Sequence, residues 1–133
     1  KRQEINLEEI SKVARSLKKV DGIAFAILFG SYAKNRHGKF SDIDIAIYLT
    51  KDLTYREILK HIPETKTPID IKILNNTSPI FNLRVLKEGQ ILFVKNEQIF
   101  KNFTFRTLLE ALDFKEMYEK LFKRYKERVL SGL

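Results

Sequence analysis

The most constraining feature of the sequence is the unbroken apolar run Ile23–Phe29. A strand with one face in water alternates apolar and polar residues, whereas a strand covered on both faces is apolar throughout. The run is also far shorter than the ~20 residues that a membrane-spanning helix requires. It therefore predicts a central strand, covered on each side, at the middle of a small sheet.

Two later segments alternate as half-buried strands do. Residues 42–49 place one set on each face, with Ile43, Ile45, Ile47 and Leu49 on the first and Asp42, Asp44, Ala46 and Tyr48 on the second. Residues 69–73 repeat the pattern, with isoleucines on one face and Asp70 and Lys72 on the other. If both isoleucine faces pack on the same helical layer, the three aspartates emerge on the same open side of the sheet.

Helical spacing and chain-breaking residues predict the other elements. A helix is expected from about residue 6 to residue 19, with Asn6 and Glu9 as a capping box. Further helices are expected over residues 55–62 and 79–86, the first stopped by Pro63. A fourth strand is expected over residues 91–94, after Gly89.

The C-terminal third reads as helix, but its apolar face changes direction along the chain. Either two helices meet near Thr104 or Asp113, or one long helix is buried on different sides. One group is expected to join the core: Phe105, Leu108, Leu109 and Leu112. A second apolar face within residues 114–129 is expected to pack against another chain, either a second copy of this one or a dedicated partner. We therefore expect a core over residues 1–96 and a helical arm over residues 97–133, within one domain.

Composition excludes several classes of site. The chain has 133 residues and no cysteine, which removes disulfides, thiolate zinc sites and iron–sulfur clusters. No apolar stretch resembles a signal or a membrane span, so we expect a soluble, cytoplasmic protein. The formal charge of +8, from 25 Lys and Arg against 17 Asp and Glu, favours polyanionic partners or serves solubility alone.

The strongest chemical signal is the pair Asp42 and Asp44. Residues two apart on a strand point the same way at roughly 6.5–7 Å, which suits a pair of divalent ions. Carboxylates in this pattern are also common on half-buried strands without any function. Gly30 and Ser31, at the end of the first strand, add to the signal, because a glycine lets the backbone approach a phosphate closely. Alone, this dipeptide is an ordinary turn.

The combination of Gly30-Ser31, Asp42-x-Asp44 and Asp70 on a later strand resembles the signature of the nucleotidyltransferase superfamily related to DNA polymerase beta. The small size makes the chain similar to the minimal nucleotidyltransferases that are often paired with HEPN-domain proteins. The resemblance implies an α+β nucleotidyltransferase fold. That fold has a small mixed β-sheet with helices on one face, the aspartates on the other, and a C-terminal helical arm.

The resemblance also implies roles. Ser31 would bind the outer phosphates of a nucleotide, Asp42 and Asp44 would hold two Mg²⁺ ions, and Asp70 would complete one metal site and help deprotonate the attacking hydroxyl. The implied reaction transfers a nucleoside monophosphate from a nucleoside triphosphate, with AMP from ATP as the favoured pair, to a hydroxyl of a HEPN toxin. The resemblance therefore implies an antitoxin-like role. The alternatives are transfer to a small molecule such as an aminoglycoside, a non-catalytic binding module of the same fold, and a nucleic-acid-binding protein. The last is disfavoured because no basic stripe is present.

The turn departs from the family pattern in two places. Family members often read Gly-Ser-x-Ala-Arg-Gly where this chain has Lys34 and Asn35 at the last two positions. Lysine keeps the charge without the bidentate fork of arginine, and asparagine tolerates a positive φ. Gly30, Ser31, Lys34 and Arg36 are the expected nucleotide-binding residues, with Lys39 as a further basic residue of the loop. His37 and His61 show no metal-ligand spacing, and Lys72 could neutralise a carboxylate or touch phosphate.

Overall fold

The computed structural model describes residues 2–35, 38 and 41–132, with the backbone alone for residues 2–6. Within these described residues, five helices and four strands follow one another in the order α1 (Arg2–Lys18), β1 (Ile23–Phe29), α2 (Gly30–Ala33), β2 (Ile43–Leu49), α3 (Tyr55–Leu59), β3 (Ile69–Ile73), α4 (Pro79–Glu88), β4 (Gln90–Val94) and α5 (Glu97–Ser131). A 3-10 turn at Leu74–Asn76 lies between β3 and α4. The sheet has the order β3-β2-β1-β4. Strands β2 and β3 are parallel and the other pairs are antiparallel. The predicted α+β class and mixed sheet are confirmed.

One face of the sheet is covered by α1 and α3. The isoleucines of β2 and β3 pack there against Val13, Leu17 and Ile58, all fully buried. Helix α3 is fixed at its start by a capping box between Thr54 and Glu57. The isoleucine faces of both alternating strands therefore meet the same helical layer, which is the condition under which the sequence pattern places the aspartates on the other face.

The opposite face is also covered, over part of its area, by α4 and the start of α5. The Phe25 ring stacks on Tyr48, with centroids 5.4 Å apart, and meets the Phe100 and Phe103 rings edge-on or tilted. Fully buried Phe25 lies on the same side as Val85 of α4. The aspartate face is thus not left bare as expected, because the apolar residues that β1 places on that side need a cover of their own.

Helix α5 is a single helix of 35 residues, which decides between the two alternatives for this segment. Its first turn is capped by Asn96, whose Oδ1 accepts a hydrogen bond from the Ile99 amide at 3.1 Å. Its buried residues are Phe103, Thr107 and Ala111.

The prediction that the four apolar residues between 105 and 112 join the core is wrong. The four side chains are between 44% and 66% exposed: Phe105, Leu108, Leu109 and Leu112. The rotation of α5 is fixed by Phe100 and Phe103, which dock on Phe25, so these four face away from the sheet. From residue 112 to residue 132 every side chain is exposed.

Several predicted boundaries shift. Helix α1 begins at Arg2 and passes through Asn6, so the capping box predicted there is wrong. Helix α3 ends at Leu59 rather than at residue 62, whereas α4 continues two residues further, to Glu88. Among the described residues, no helix is both long enough and apolar enough to cross a membrane. The division of one domain at residue 96 stays a prediction.

Candidate active site

The turn after β1 lies directly against Asp44. Gly30 has φ +72°, and a Cβ added there would overlap the carboxylate of Asp44 and lie 3.3 Å from its Cγ. Glycine is therefore needed twice, for the left-handed backbone and for the close approach. The short helix α2 begins at this glycine, which brings Ser31, half-buried, to the same end of the sheet.

Sheet register brings the aspartates together. Asp44 of β2 is the register partner of Phe29 on β1 and of Asp70 on β3. Neighbouring strands are ~4.8 Å apart, so Asp44 lies between the Gly30 turn and Asp70. Asp42 is exposed and immediately precedes β2. All three predicted carboxylates therefore lie at one end of the sheet.

Asp44 is surrounded by other negative charges. Burial raises the pKa of the Asp44 carboxyl, and the charges of Asp70 and Asp42 raise it further, while Lys72 opposes them. Lys72 Nζ lies 3.8 Å from an Asp70 oxygen, so this lysine pairs with the edge-strand carboxylate. A bound cation would relieve the remaining repulsion at Asp44.

The donor set fits a hard divalent cation in its chemistry. No three acidic or imidazole side chains in the described part of the chain stand close enough to form a closed metal cage. Magnesium, however, is commonly held by one or two carboxylates, with water and substrate phosphates completing its six ligands. Asp42, Asp44 and Asp70 are oxygen donors of that type, and the Gly30 turn lies beside them.

A network that the sequence reasoning missed surrounds Lys34. Its Nζ lies 3.0 Å from a Glu88 oxygen, and Arg84 reaches the same carboxylate at 3.4 Å. The hydrogen bond from Lys34 lowers the pKa of Glu88, and Arg84 adds to the effect. Lys34 is thus held by α4 at the rim of a cavity of about 190 Å³ that Gly30 and Phe29 also line. The contact joins residues distant in sequence, so no local pattern indicates it.

Two further hydrogen bonds hold the turn in place. Gln90 Nε2 donates to the Ala33 carbonyl at 2.8 Å, which ties α2 to β4. The Tyr32 hydroxyl donates to the Ser41 carbonyl at 3.4 Å, so the neighbours of Ser31 and Asp42 are linked directly. The turn and the carboxylates consequently form one connected unit.

Some predicted residues are placed elsewhere or not described. Arg36, His37 and Lys39 lie outside the residues that the structure describes. His61 is exposed and lies two residues beyond the end of α3, the helix whose Ile58 packs on the isoleucine face. Neither the sequence nor the structure gives His61 a place in the site.

Comparison with known proteins agrees with this geometry. Residues 11–98 match the family described as polymerase beta, nucleotidyltransferase. A Methanocaldococcus jannaschii protein with the provisional name of protein adenylyltransferase is 31% identical over 115 residues, covering 86% of this chain and 88% of that protein.

Solved structures of low sequence identity share the fold. A chain in a toxin–antitoxin crystal structure with AMP-PNP superposes with a TM-score of 0.70 at 20% identity, covering 91% of this chain and 98% of that one. A chain in the complex of a tri-AMPylated Shewanella oneidensis HEPN toxin with its MNT antitoxin gives 0.63 at 19% identity, over 93% and 98%.

Proposed function

The chain belongs to the polymerase beta nucleotidyltransferase family, and we propose that it transfers AMP from ATP to a hydroxyl of a protein partner in a Mg²⁺-dependent reaction. The observation that carries the proposal is that Asp44 and Asp70 are register partners on adjacent strands and that the Gly30 turn lies against Asp44. This family generally uses a divalent metal, and the three aspartates supply the ligands such an ion needs. Since ATP is available inside the cell, the reaction belongs to the cytoplasm.

Each side chain has a separate task in this proposal. Ser31 and the amides at the start of α2 hold the outer phosphates, which leaves the α-phosphorus near Asp44. Asp42 and Asp44 would hold two Mg²⁺ ions, which supply charge neutralisation for the attacking and leaving oxygens. Asp70 takes the proton of the acceptor hydroxyl. The oxygen of that hydroxyl forms a bond to the α-phosphorus, and the bond from the α-phosphorus to the leaving pyrophosphate breaks.

The position of the turn sets the direction of acceptor approach. Gly30 lies on the β1 side of Asp44, and Asp70 lies on the β3 side, at the edge of the sheet. In-line attack places the acceptor opposite the leaving pyrophosphate. The acceptor hydroxyl therefore approaches over the edge strand β3.

A HEPN-domain protein is the proposed acceptor, and residues 114–129 are the proposed docking surface. Their apolar side chains are largely exposed, with Met117 at 53%, Tyr118 at 59% and Leu121 at 55%. The relative in M. jannaschii carries the name of an enzyme that modifies proteins, and structures of HEPN toxins with MNT antitoxins share the fold. These findings favour a protein acceptor, and they support the proposal of an antitoxin role.

The docking surface continues the buried stripe of α5. Residues Phe103, Thr107 and Ala111 pack inside the molecule, and the same helical face continues through exposed residues: Phe114, Tyr118, Leu121 and Tyr125. Steps of three and four residues keep such positions on one side of a helix. A helical partner could therefore extend the core beyond the end of the sheet.

The test is a labelling reaction with purified chain, ATP labelled at the α-phosphate, Mg²⁺ and a HEPN-domain protein. Label on a hydroxyl side chain of the partner is expected, together with free pyrophosphate. Asp44→Asn should abolish the label, whereas Asp52→Asn, the same change on an exposed loop carboxylate, should keep it.

Other outcomes identify the alternatives. Binding of the partner without any label, under conditions where nucleotide also binds, would indicate a non-catalytic module. Label on an aminoglycoside but not on protein would indicate a small-molecule acceptor.

A further inference from the structure

The outward face of α5, which the core does not use, carries a charge pattern with a twofold symmetry. Two rows of residues spaced four apart run along this face. The first row is Glu97, Lys101, Phe105 and Leu109, and the second is Leu108, Leu112, Glu116 and Lys120. All eight side chains are exposed. An apolar centre is thus flanked on each side by one acidic and one basic residue.

The order of the charges reverses about the midpoint between Leu108 and Leu109. When two copies of the helix are laid antiparallel about that midpoint, Phe105 of one copy meets Leu112 of the other. Lys101 then meets Glu116, and Glu97 meets Lys120. Each of these four charges lies level with its opposite, and each of the four apolar side chains lies level with another. We propose that this face is an isologous, antiparallel interface with a second copy of the chain.

The parallel arrangement is disfavoured by the same residues. In a parallel pair each charged residue faces its own copy, so Lys101 would meet lysine and Glu116 would meet glutamate. Like charges that meet across an interface weaken it, and such repulsion is a means by which helices select orientation. The pattern therefore specifies the antiparallel orientation.

Helix stabilisation within one chain explains only part of the pattern. The Glu116–Lys120 pair lies at 3.4 Å within the helix and is an ordinary contact of residues four apart. It does not account for the four large apolar side chains between the two charged ends, which are between 44% and 66% exposed. A monomer has no use for an apolar patch at that place. A second copy covers it and satisfies the charges at both ends.

The interface leaves the other functions free. The outward face lies on the side of α5 opposite Phe103 and Thr107, which are buried against the rest of the chain. Within residues 114–129, the proposed partner surface is formed by Phe114, Tyr118, Leu121 and Tyr125, which continue the buried side of α5, whereas Glu116 and Lys120 lie on the outward face. The two surfaces can be occupied together, and the dimer does not depend on the proposed function.

The test is a charge-swap cycle on the full chain, read by sedimentation equilibrium. The wild type should be a dimer, and Lys101→Glu and Glu116→Lys should each raise its dissociation constant at least about tenfold, because each creates facing like charges. The double variant should restore the dimer, since the swapped charges again face each other. Leu109→Lys should give a monomer of unchanged helicity.

Crosslinking checks the orientation. Because the chain has no cysteine, Leu109→Cys provides a single thiol near the twofold axis and should form a covalent dimer on mild oxidation. Leu130→Cys is the control, because in an antiparallel pair the two copies of that residue lie about 60 Å apart. A monomeric wild type would overturn the interface. A dimer dissociated by Leu121→Lys but not by Leu109→Lys, or a double swap that fails to restore it, would overturn it as well.

Discussion

Asp44 lies on a strand whose neighbours Ile43 and Ile45 are fully buried, whereas Leu121 lies on a helix on which every residue from 112 to 132 is exposed. The first region positions its functional groups within one chain, through sheet register and a glycine turn. The second leaves large apolar side chains in water and needs another molecule to cover them. We therefore propose that the sheet carries the chemistry and that the helix selects the partner.

After the complete loss of transfer expected for Asp44→Asn, the largest effect is expected from Asp70→Asn, which tests whether the sheet end carries the chemistry. The variant removes the proposed proton acceptor while keeping the shape of the side chain. Transfer should fall by at least about 10²-fold, the range for loss of a positioned proton-transfer group. Single-turnover labelling measures this fall. The matched control is Asp113→Asn on the exposed helix, and equal losses in both variants would contradict the assignment.

A smaller effect is expected when the arm is changed. The double variant Leu121→Lys, Tyr125→Lys should lower labelling of the HEPN partner by about 10-fold, which corresponds to a loss of about 1.4 kcal/mol of binding free energy. ATP binding and the unfolding midpoint should stay unchanged, because both side chains are exposed. A pull-down measures binding of the partner, calorimetric titration measures ATP binding, and thermal unfolding measures the midpoint. Loss of ATP binding would show that the two regions are not independent.

A smaller effect again is expected when the proposed phosphate contact of Ser31 is removed. Ser31→Ala should weaken ATP binding by about 1–3 kcal/mol, the range for a hydrogen bond to a charged group. AMP should be affected much less, because it lacks the outer phosphates. Calorimetric titration of both nucleotides compares them directly. Equal losses for ATP and AMP would place Ser31 away from the outer phosphates.

The smallest effect is on stability. Burial and neighbouring carboxylates raise the pKa of Asp44 above its ordinary value of 3.8, so the ionised form destabilises the folded chain at neutral pH. Without metal, Asp44→Asn should therefore raise the unfolding midpoint slightly at pH 7. The gain should shrink as the pH falls through the raised pKa, and disappear below 3.8, where the aspartate is protonated in both states. Thermal unfolding in the presence of a chelator, at several pH values, measures it, and a destabilised variant at pH 7 would contradict the electrostatic account.

The sequence predicted the sheet end better than the helix because its signals are local. Alternation over residues 42–49 and 69–73 indicates both the strands and the faces of their aspartates. Which side of α5 is buried depends on a distant contact, the docking of Phe103 on Phe25. Both sides of that helix are apolar, so periodicity alone could not choose between Phe103 and Phe105. The link from Glu88 to Lys34 was missed for the same reason, since it joins two elements far apart in sequence.

The central claim is that Asp44, beside Asp70 and the Gly30 turn, binds a divalent cation together with the nucleotide. Calorimetric titration of ATP with and without Mg²⁺, into the wild type and Asp44→Asn, tests it most directly. The wild type should bind ATP more tightly when Mg²⁺ is present, and the variant should lose that dependence while keeping its fold by circular dichroism. Equal affinity and equal Mg²⁺ dependence in the two proteins would contradict the claim.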